Sequence, residues 1–197
     1  MIMQKTLKKA APTKTTSKAI AIKKESKINA IAAHDFAEYF NNYINLVTEE
    51  DVIKALKSSY KEMKHLISFL SEEQGNSAYA KNKWTIKELL VHVMDTERIF
   101  CERALRFARK DKTELPGFDH DVFVLNSNAN NRTLKSILKE YKIIRKSTLA
   151  LFKNFTPEML EQGGIANGNK LTVHSIGFTI SGHELHHLNV IKAKYLK

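Results

Sequence analysis

Apolar residues recur at alternating steps of three and four through four long stretches of this chain, and its three prolines, Pro12, Pro116 and Pro157, all fall outside them. That period marks one face of an α-helix, and a proline inside such a stretch would remove a backbone hydrogen bond and break it. The first stretch runs from Glu49 to Leu70 after Thr48 as N-cap, with Val52, Ile53, Leu56, Tyr60, Met63, Ile67 and Leu70 in register. A short segment, Phe36 to Val47, precedes it. The second opens at Thr85, where Thr85 and Glu88 spell a capping box and Trp84 with Leu89 a hydrophobic staple, and it ends near Arg109. The third covers Thr133 to Phe155 and the fourth Thr172 to Tyr195. Neither strand alternation nor an internal repeat is visible, so the expected fold class is all-α.

Connection lengths then constrain how the helices run. About 23 residues separate the second from the third, including Pro116-Gly117-Phe118-Asp119 and an Asn-rich stretch over 126–131. That is long for a hairpin and long enough to cross a bundle, which predicts a parallel second and third helix. The link from Thr156 to Leu171 holds a helix start at Thr156-Pro157-Glu158 and turn signals at Gly163-Gly164 and Asn167-Gly168, and reads as a shorter antiparallel return. A chain of 197 residues with 43% hydrophobic content has room for one domain. We place it at residues 31–197, preceded by a basic tail over 1–30.

The charge supports that division. Of a formal net charge of +11, residues 1–30 hold eight lysines against the single acid Glu25, a net of +7, which leaves +4 for residues 31–197. The folded part is therefore nearly balanced, and the high isoelectric point says little about its partners. The tail has no large apolar residues at a helical period and is expected to be disordered. Basic Ser/Thr/Ala-rich arms can touch nucleic acid or membranes, and this one resembles an organellar transit peptide in outline. It lacks aromatics and arginine, however, so a solvated extension with at most weak nucleic-acid contact is expected. No run of about 18 apolar residues argues for a membrane span. No apolar stretch with a small-residue cleavage site follows the first lysines, so a secretory signal is not read and a cytoplasmic protein is expected. Cys101, the one cysteine, excludes an intramolecular disulfide and fits a reducing compartment.

The chemistry concentrates near the end, in Gly182-His183-Glu184-Leu185-His186-His187-Leu188. On the fourth helix Val173, Ile176, Ile180, His183, His187, Val190 and Lys194 step by threes and fours, so both His183 and His187 occupy the inward seam. Residues four apart stand on one helix face with Cβ atoms about 5–6 Å apart, close enough for both rings to reach one ion at about 2.0–2.1 Å. Burying unpaired polar rings costs free energy; metal ligation satisfies both, and a core pair bonded to backbone stands level with it. The best third ligand is His92, which flanks the seam Ile86, Leu90, Val93 and Phe100 of the second helix. The letters also fit H-E-x-x-H, in which the glutamate is a general base, but the ten residues after His187 supply no third ligand of the zincin kind. Glu184 is read as a catalytic base or a support for a metal ligand and, with at least equal weight, as a solvent-facing helical carboxylate. His186 points about 100° away from the pair and reads as a surface ring or as one that supports the ligands from behind, and His174 as structural. Asp95 and Glu97 either orient an imidazole or pair with surface cations, while Asp119 and His120 on the long connection fall where a pocket mouth would be.

Taken together, Lys83-Trp84-Thr85-Ile86-Lys87-Glu88 leading into His92, the run Asp95-Thr96-Glu97-Arg98-Ile99-Phe100, the loop Leu115-Pro116-Gly117-Phe118-Asp119 and the terminal His183-Glu184-Leu185-His186-His187 resemble the DinB-like superfamily of metal-dependent four-helix-bundle enzymes, over roughly Glu49 to Lys197. The resemblance implies an up-down-down-up bundle, His92, His183 and His187 as ligands of a divalent transition metal (zinc, nickel, iron or manganese), a small-molecule substrate and a homodimer. Three neutral imidazoles leave the ion's charge uncancelled and a position open, as in catalytic sites. Such an ion can activate water or stabilise a thiolate, and the resembling superfamily includes enzymes that use a low-molecular-weight thiol such as bacillithiol. The expected activity is transfer of such a thiol to an electrophilic small molecule. The alternatives are a metal-dependent hydrolase that activates water and a noncatalytic metal-binding stress-response module.

Overall fold

The computed structural model describes residues 38–196. The basic tail expected over residues 1–30 lies outside the described residues, as does the start of the short segment at Phe36. Four long helices carry the fold: α1 (Val52–Ile67), α2 (Ile86–Ala108), α3 (Leu134–Lys153) and α4 (Val173–Val190). Their starts are set by side-chain caps. Thr85 and Glu88 form the expected box, Thr85 Oγ1 accepting from the Glu88 N–H at 3.1 Å and Glu88 Oε2 from the Thr85 N–H at 2.7 Å; caps of this kind contribute about 1 kcal/mol each. Thr172 and Ser175 make a second box at the head of α4. At α1 the expectation is corrected: Asp51, not Thr48, is the N-cap, its carboxylate accepting from the Lys54 N–H at 2.8 Å. Thr48 turns its hydroxyl to Glu49 instead. Beyond Val190 the fourth helix widens into a π turn, Ile191–Tyr195, whose Tyr195 hydroxyl donates to the Trp84 carbonyl at 2.7 Å.

The direction of each helix is fixed by the residues that meet at the two ends. Just past α1, Glu72 accepts from the Leu134 N–H that opens α3 and pairs with Lys87 in the first turn of α2, each at 2.8 Å. The starts of α2 and α3 therefore lie beside the end of α1. At the other end Gly177, early in α4, lies against Val52 at the start of α1 and Phe152 at the end of α3. The bundle is up-down-down-up, with α2 parallel to α3 and α1 parallel to α4, as the long second connection implies. Helix α4 packs between α1 and α2, and a short helix, Asn41–Ile44, covers a third side of it. Gly182 permits that cover: a Cβ there would stand 2.1 Å from the Tyr43 carbonyl oxygen.

One element departs from the all-α expectation. Gly163–Ala166 (β1) and Asn169–Thr172 (β2) form a two-stranded antiparallel hairpin. Asn167 (φ 52°) and Gly168 (φ 70°) make its two-residue turn, both in the left-handed conformation that an Asn-Gly pair tolerates. Four-residue strands opened by two glycines are too short to show alternation, which is why only the turn is legible. The hairpin holds the long connection in place: the Leu115 N–H donates to the Ile165 carbonyl and the Asn167 N–H to the Leu115 carbonyl, each at 2.9 Å.

The interior is two apolar clusters with a polar layer between them. One gathers Phe40, Phe100, Phe107, Phe152 and Phe178 near the hairpin end, and the other Met63, Ile67, Ile86, Ile137 and Leu188 near the opposite end. Between them lie Ser59, Glu97, Arg145, Thr148 and Glu184, all buried. Among the described residues no helix is long and apolar enough to cross a membrane.

Candidate metal centre

Helices α2 and α4 bring three imidazoles to one point. His183 Nε2 stands 3.2 Å from His92 Nε2 and 3.0 Å from His187 Nε2, and the three ligand atoms all lie within 4.8 Å of one another. Two nitrogens held at about 2.0–2.1 Å from a single ion would themselves be about 3 Å apart, so this spacing is that of one coordination sphere. The i, i+4 step on α4 supplies two of the rings, as the sequence predicts. His92 joins them because α2 runs antiparallel to α4, with Tyr195 anchoring the far end of α4 at Trp84. Aromatic rings flank two of the imidazoles: Trp84 packs at a tilt on His92 with centroids 4.8 Å apart, and Tyr43 meets His183 edge-on at 5.3 Å.

The electrostatics favour lone pairs over protons. Burial, and then the neighbouring imidazoles of His187 and His92, hold His183 well below the ordinary histidine range. Burial is also the first cause that pushes His92 down to about 4 and His187 down to about 3. All three rings are thus neutral near pH 7. A ring nitrogen offers one proton or one lone pair, so hydrogen bonds among three converging Nε2 atoms cannot satisfy all of them together, whereas one cation satisfies all three. The donor set therefore fits a divalent transition metal.

Above the rings opens a cavity of about 550 Å³, walled by Tyr43, Trp84, Phe100, Phe118 and His120 among others. His120 is the exposed pocket-mouth residue anticipated from the long connection, its ring 5.8 Å from that of His92. Asp119 instead caps the short helix His120–Leu125, accepting from the Asp121 and Val122 N–H groups. His186 is exposed beside Tyr43, and His174 lies against Phe178.

The carboxylates depart furthest from expectation. Glu184 is 0% exposed, which corrects the solvent-facing reading, and it is absent from the cavity wall. Its Oε2 accepts from Arg145 Nη2 at 2.9 Å. Glu97, read as an imidazole-orienting or surface residue, is likewise buried and grips the same guanidinium through both oxygens, at 2.8 and 2.9 Å. Thr148 donates to Glu97 at 2.6 Å, and Arg145 also donates to Ser59 at 3.2 Å and to the Leu56 carbonyl. Burial first, and then the charge of Glu97, raise the Glu184 carboxyl well above the usual carboxylate range. Asp95 pairs with Arg98 at 3.1 Å, so neither Asp95 nor Glu97 orients a ring.

A helical bundle with three converging imidazoles under an aromatic cavity presents a donor set that could hold a metal ion, and the chain belongs to the DinB superfamily. The DinB superfamily model matches residues 55–191. Over 151 residues the chain is 25% identical to the Oceanobacillus iheyensis protein named "Putative metal-dependent hydrolase OB0413", spanning 74% of this chain and 86% of that relative. Among solved structures it is similar to YfiT from Bacillus subtilis, described as a probable metal-dependent hydrolase with an unusual four-helix bundle topology. The TM-score is 0.63 at 16% identity, covering 72% of this chain and 82% of that one. At that identity the likeness shows a shared fold.

Proposed function

We propose that the chain is a metal-dependent enzyme in which His92, His183 and His187 hold one divalent transition-metal ion, and that it transfers a low-molecular-weight thiol to the electrophilic carbon of a small molecule. The make-up of the cavity carries this reading: neutral imidazoles at its floor, aromatic walls, and no carboxylate among the described residues that line it. A bound ion with neutral ligands keeps its full positive charge and favours thiolate over thiol near neutral pH. The chain's own work is then placement. Tyr43 and Trp84 fix two of the rings, the aromatic walls hold the apolar part of the electrophile, and orientation within the pocket supplies much of the rate. Cys101 is not the reacting thiol: it is absent from the cavity wall, and burial pushes it up to about 12. We assign Glu184 to positioning, since it anchors the turn of α4 that carries His183.

Hydrolysis is the second reading, favoured by the names of the relatives and by His120, an exposed imidazole on the cavity wall that can take a proton from water. The test compares metal-free, metal-loaded and His183→Ala protein across thiols that include glutathione and bacillithiol, with a common set of electrophiles and, in parallel, esters and amides. Conjugation that needs both thiol and metal, and that disappears in folded His183→Ala, is the expected result. Ester or amide cleavage that needs metal but no thiol would replace transfer with hydrolysis, and inactivity throughout would leave a noncatalytic metal-binding role.

A further inference from the structure

Arg103 shares a cavity wall with the three histidines, yet the metal reading gives it nothing to do. His92, Thr96, Phe100 and Arg103 line the cavity from one face of α2. Eleven residues of helix, about 16 Å of axis, separate the first from the last. Arg103 is only 5% exposed and pairs with no carboxylate among the described residues; the adjacent Glu102 bonds Arg106 at 3.2 Å. Its guanidinium lies 5.5 Å from the centre of the Phe100 ring, so the side chain folds back toward the histidine end. That lean shortens the span to the reacting end to on the order of 10 Å.

The guanidinium is held in place. One of its N–H groups donates to the Pro116 carbonyl at 2.9 Å, and Leu115 beside it is tied to the hairpin by two backbone bonds. Asn167 of the hairpin turn and Asn169, whose Nδ2 donates to the Asn167 carbonyl at 2.8 Å, line the same cavity. A guanidinium carries five N–H donors in a fixed fork, and taking such a cation out of water without a counter-charge costs free energy. A cation so placed, fixed by a carbonyl, packed on Phe100 and lining a cavity that Asn167 and Asn169 also line, fits an anionic partner that arrives with the ligand.

We propose that Arg103, with Asn167 and Asn169, forms a subsite for the carboxylate of a reactant whose reacting end lies over the histidines. The pocket thereby selects elongated, carboxylate-bearing small molecules. This rests on the metal-site reading above. It makes Arg103 a residue that sets specificity, and the carboxylate can belong to the thiol or to the electrophile.

The test uses cobalt-loaded full-length protein and a series of ω-mercaptoalkanoates of increasing length, each matched to the ω-mercaptoalcohol of the same length. Affinity is read by calorimetry, and the cobalt–thiolate absorption band reports separately on the metal end. In the unmodified protein the acids that span the cavity are expected to bind about ten- to a hundredfold more tightly than the alcohols, the worth of a hydrogen bond to a charged group. That ratio should fall to about one in Arg103→Met and survive in part in Arg103→Lys. Plain alkanoates competing for the site would place the carboxylate on the electrophile, and mercaptoacids holding the advantage alone would place it on the thiol. Equal affinities for acid and alcohol in the unmodified protein overturn the proposal without reference to any variant. So does a ratio that Arg103→Met leaves unchanged. Absence of the cobalt band in every arm would count against the thiol reading alone, because the acid-to-alcohol ratio is still read from the heats.

Discussion

Helix α4 separates two polar clusters that begin one residue apart. His183 faces the cavity and meets His92 and His187; Glu184, turned about 100° further round the helix, faces the interior and meets Arg145 and, through it, Glu97. The first cluster has converging lone pairs, no carboxylate among the described residues that line its cavity, and access to that cavity of about 550 Å³. The second has both signs of charge, bidentate bonding and no access to solvent, Arg145 being 1% exposed. One lacks a partner that a ligand would bring; in the other the charges meet one another through Arg145, with Glu184 Oε1 alone of the carboxylate oxygens left without a hydrogen-bond partner among the described residues. We read the histidines as the proposed site of chemistry and the Arg145 clamp as architecture, although the α4 members of both clusters, His183, Glu184 and His187, fall within the same five letters.

The largest effect expected from breaking this comparison is on the closed side. Arg145→Met leaves Glu97 and Glu184 facing one another in an apolar interior, and a buried pair that loses one partner costs about 3–5 kcal/mol. Urea unfolding should show a loss of that size, while a loss under about 1 kcal/mol would mean that solvent reaches the layer. The corresponding change on the open side, His183→Ala, should leave the metal-free protein's unfolding midpoint much closer to the original.

Next comes the pH response of the metal-free protein. The three histidines have folded-state pKa values below the ordinary 6.5, at about 4 for His92 and about 3 for His187, with His183 depressed as well. Between those values and 6.5 the unfolded chain binds more protons than the folded one, so this stabilisation is complete above about pH 6.5 and is lost as pH falls through about 4 and then 3. Thermal unfolding at a series of pH values should show that decline, and removing His92 and His187 together should flatten it. A curve that stays flat from pH 7 to 4 would contradict the burial of the trio.

A smaller effect is expected where the short helix Asn41–Ile44 covers the site. Gly182→Ala puts a methyl group 2.1 Å from the Tyr43 carbonyl oxygen in the unrelaxed structure, and backbone on backbone cannot yield cheaply. Overpacking of this kind costs about 1–3 kcal/mol. The helix should lift, and hydrogen exchange over residues 41–44 should accelerate relative to α1.

The open cluster was the legible one. A histidine pair four apart on an inward seam announces itself, because polar rings where a core is due need a reason, and the long second connection was enough to predict the parallel α2 and α3. The closed cluster was harder. Glu184 and Glu97 look like ordinary helix-surface carboxylates until Arg145 is known to face them from α3. The signal existed: Tyr141, Arg145, Thr148 and Phe152 step by four, three and four, which places a guanidinium at a seam position. The aromatic walls and Arg103 depend on long-range placement by the hairpin and by the helix at Asn41–Ile44, and no local pattern encodes that.

The measurement that bears most directly on the separation of the two clusters is the metal content of purified protein, by elemental analysis, for the original chain, His183→Ala and Glu184→Gln, each checked for folding by circular dichroism. We expect about one divalent transition metal per chain in the original, none in His183→Ala, and undiminished content in Glu184→Gln, whose side chain keeps its shape and faces Arg145 rather than the ion. Full retention of metal in His183→Ala, or its loss from folded Glu184→Gln, would contradict a division of labour between the histidines and the Arg145 clamp.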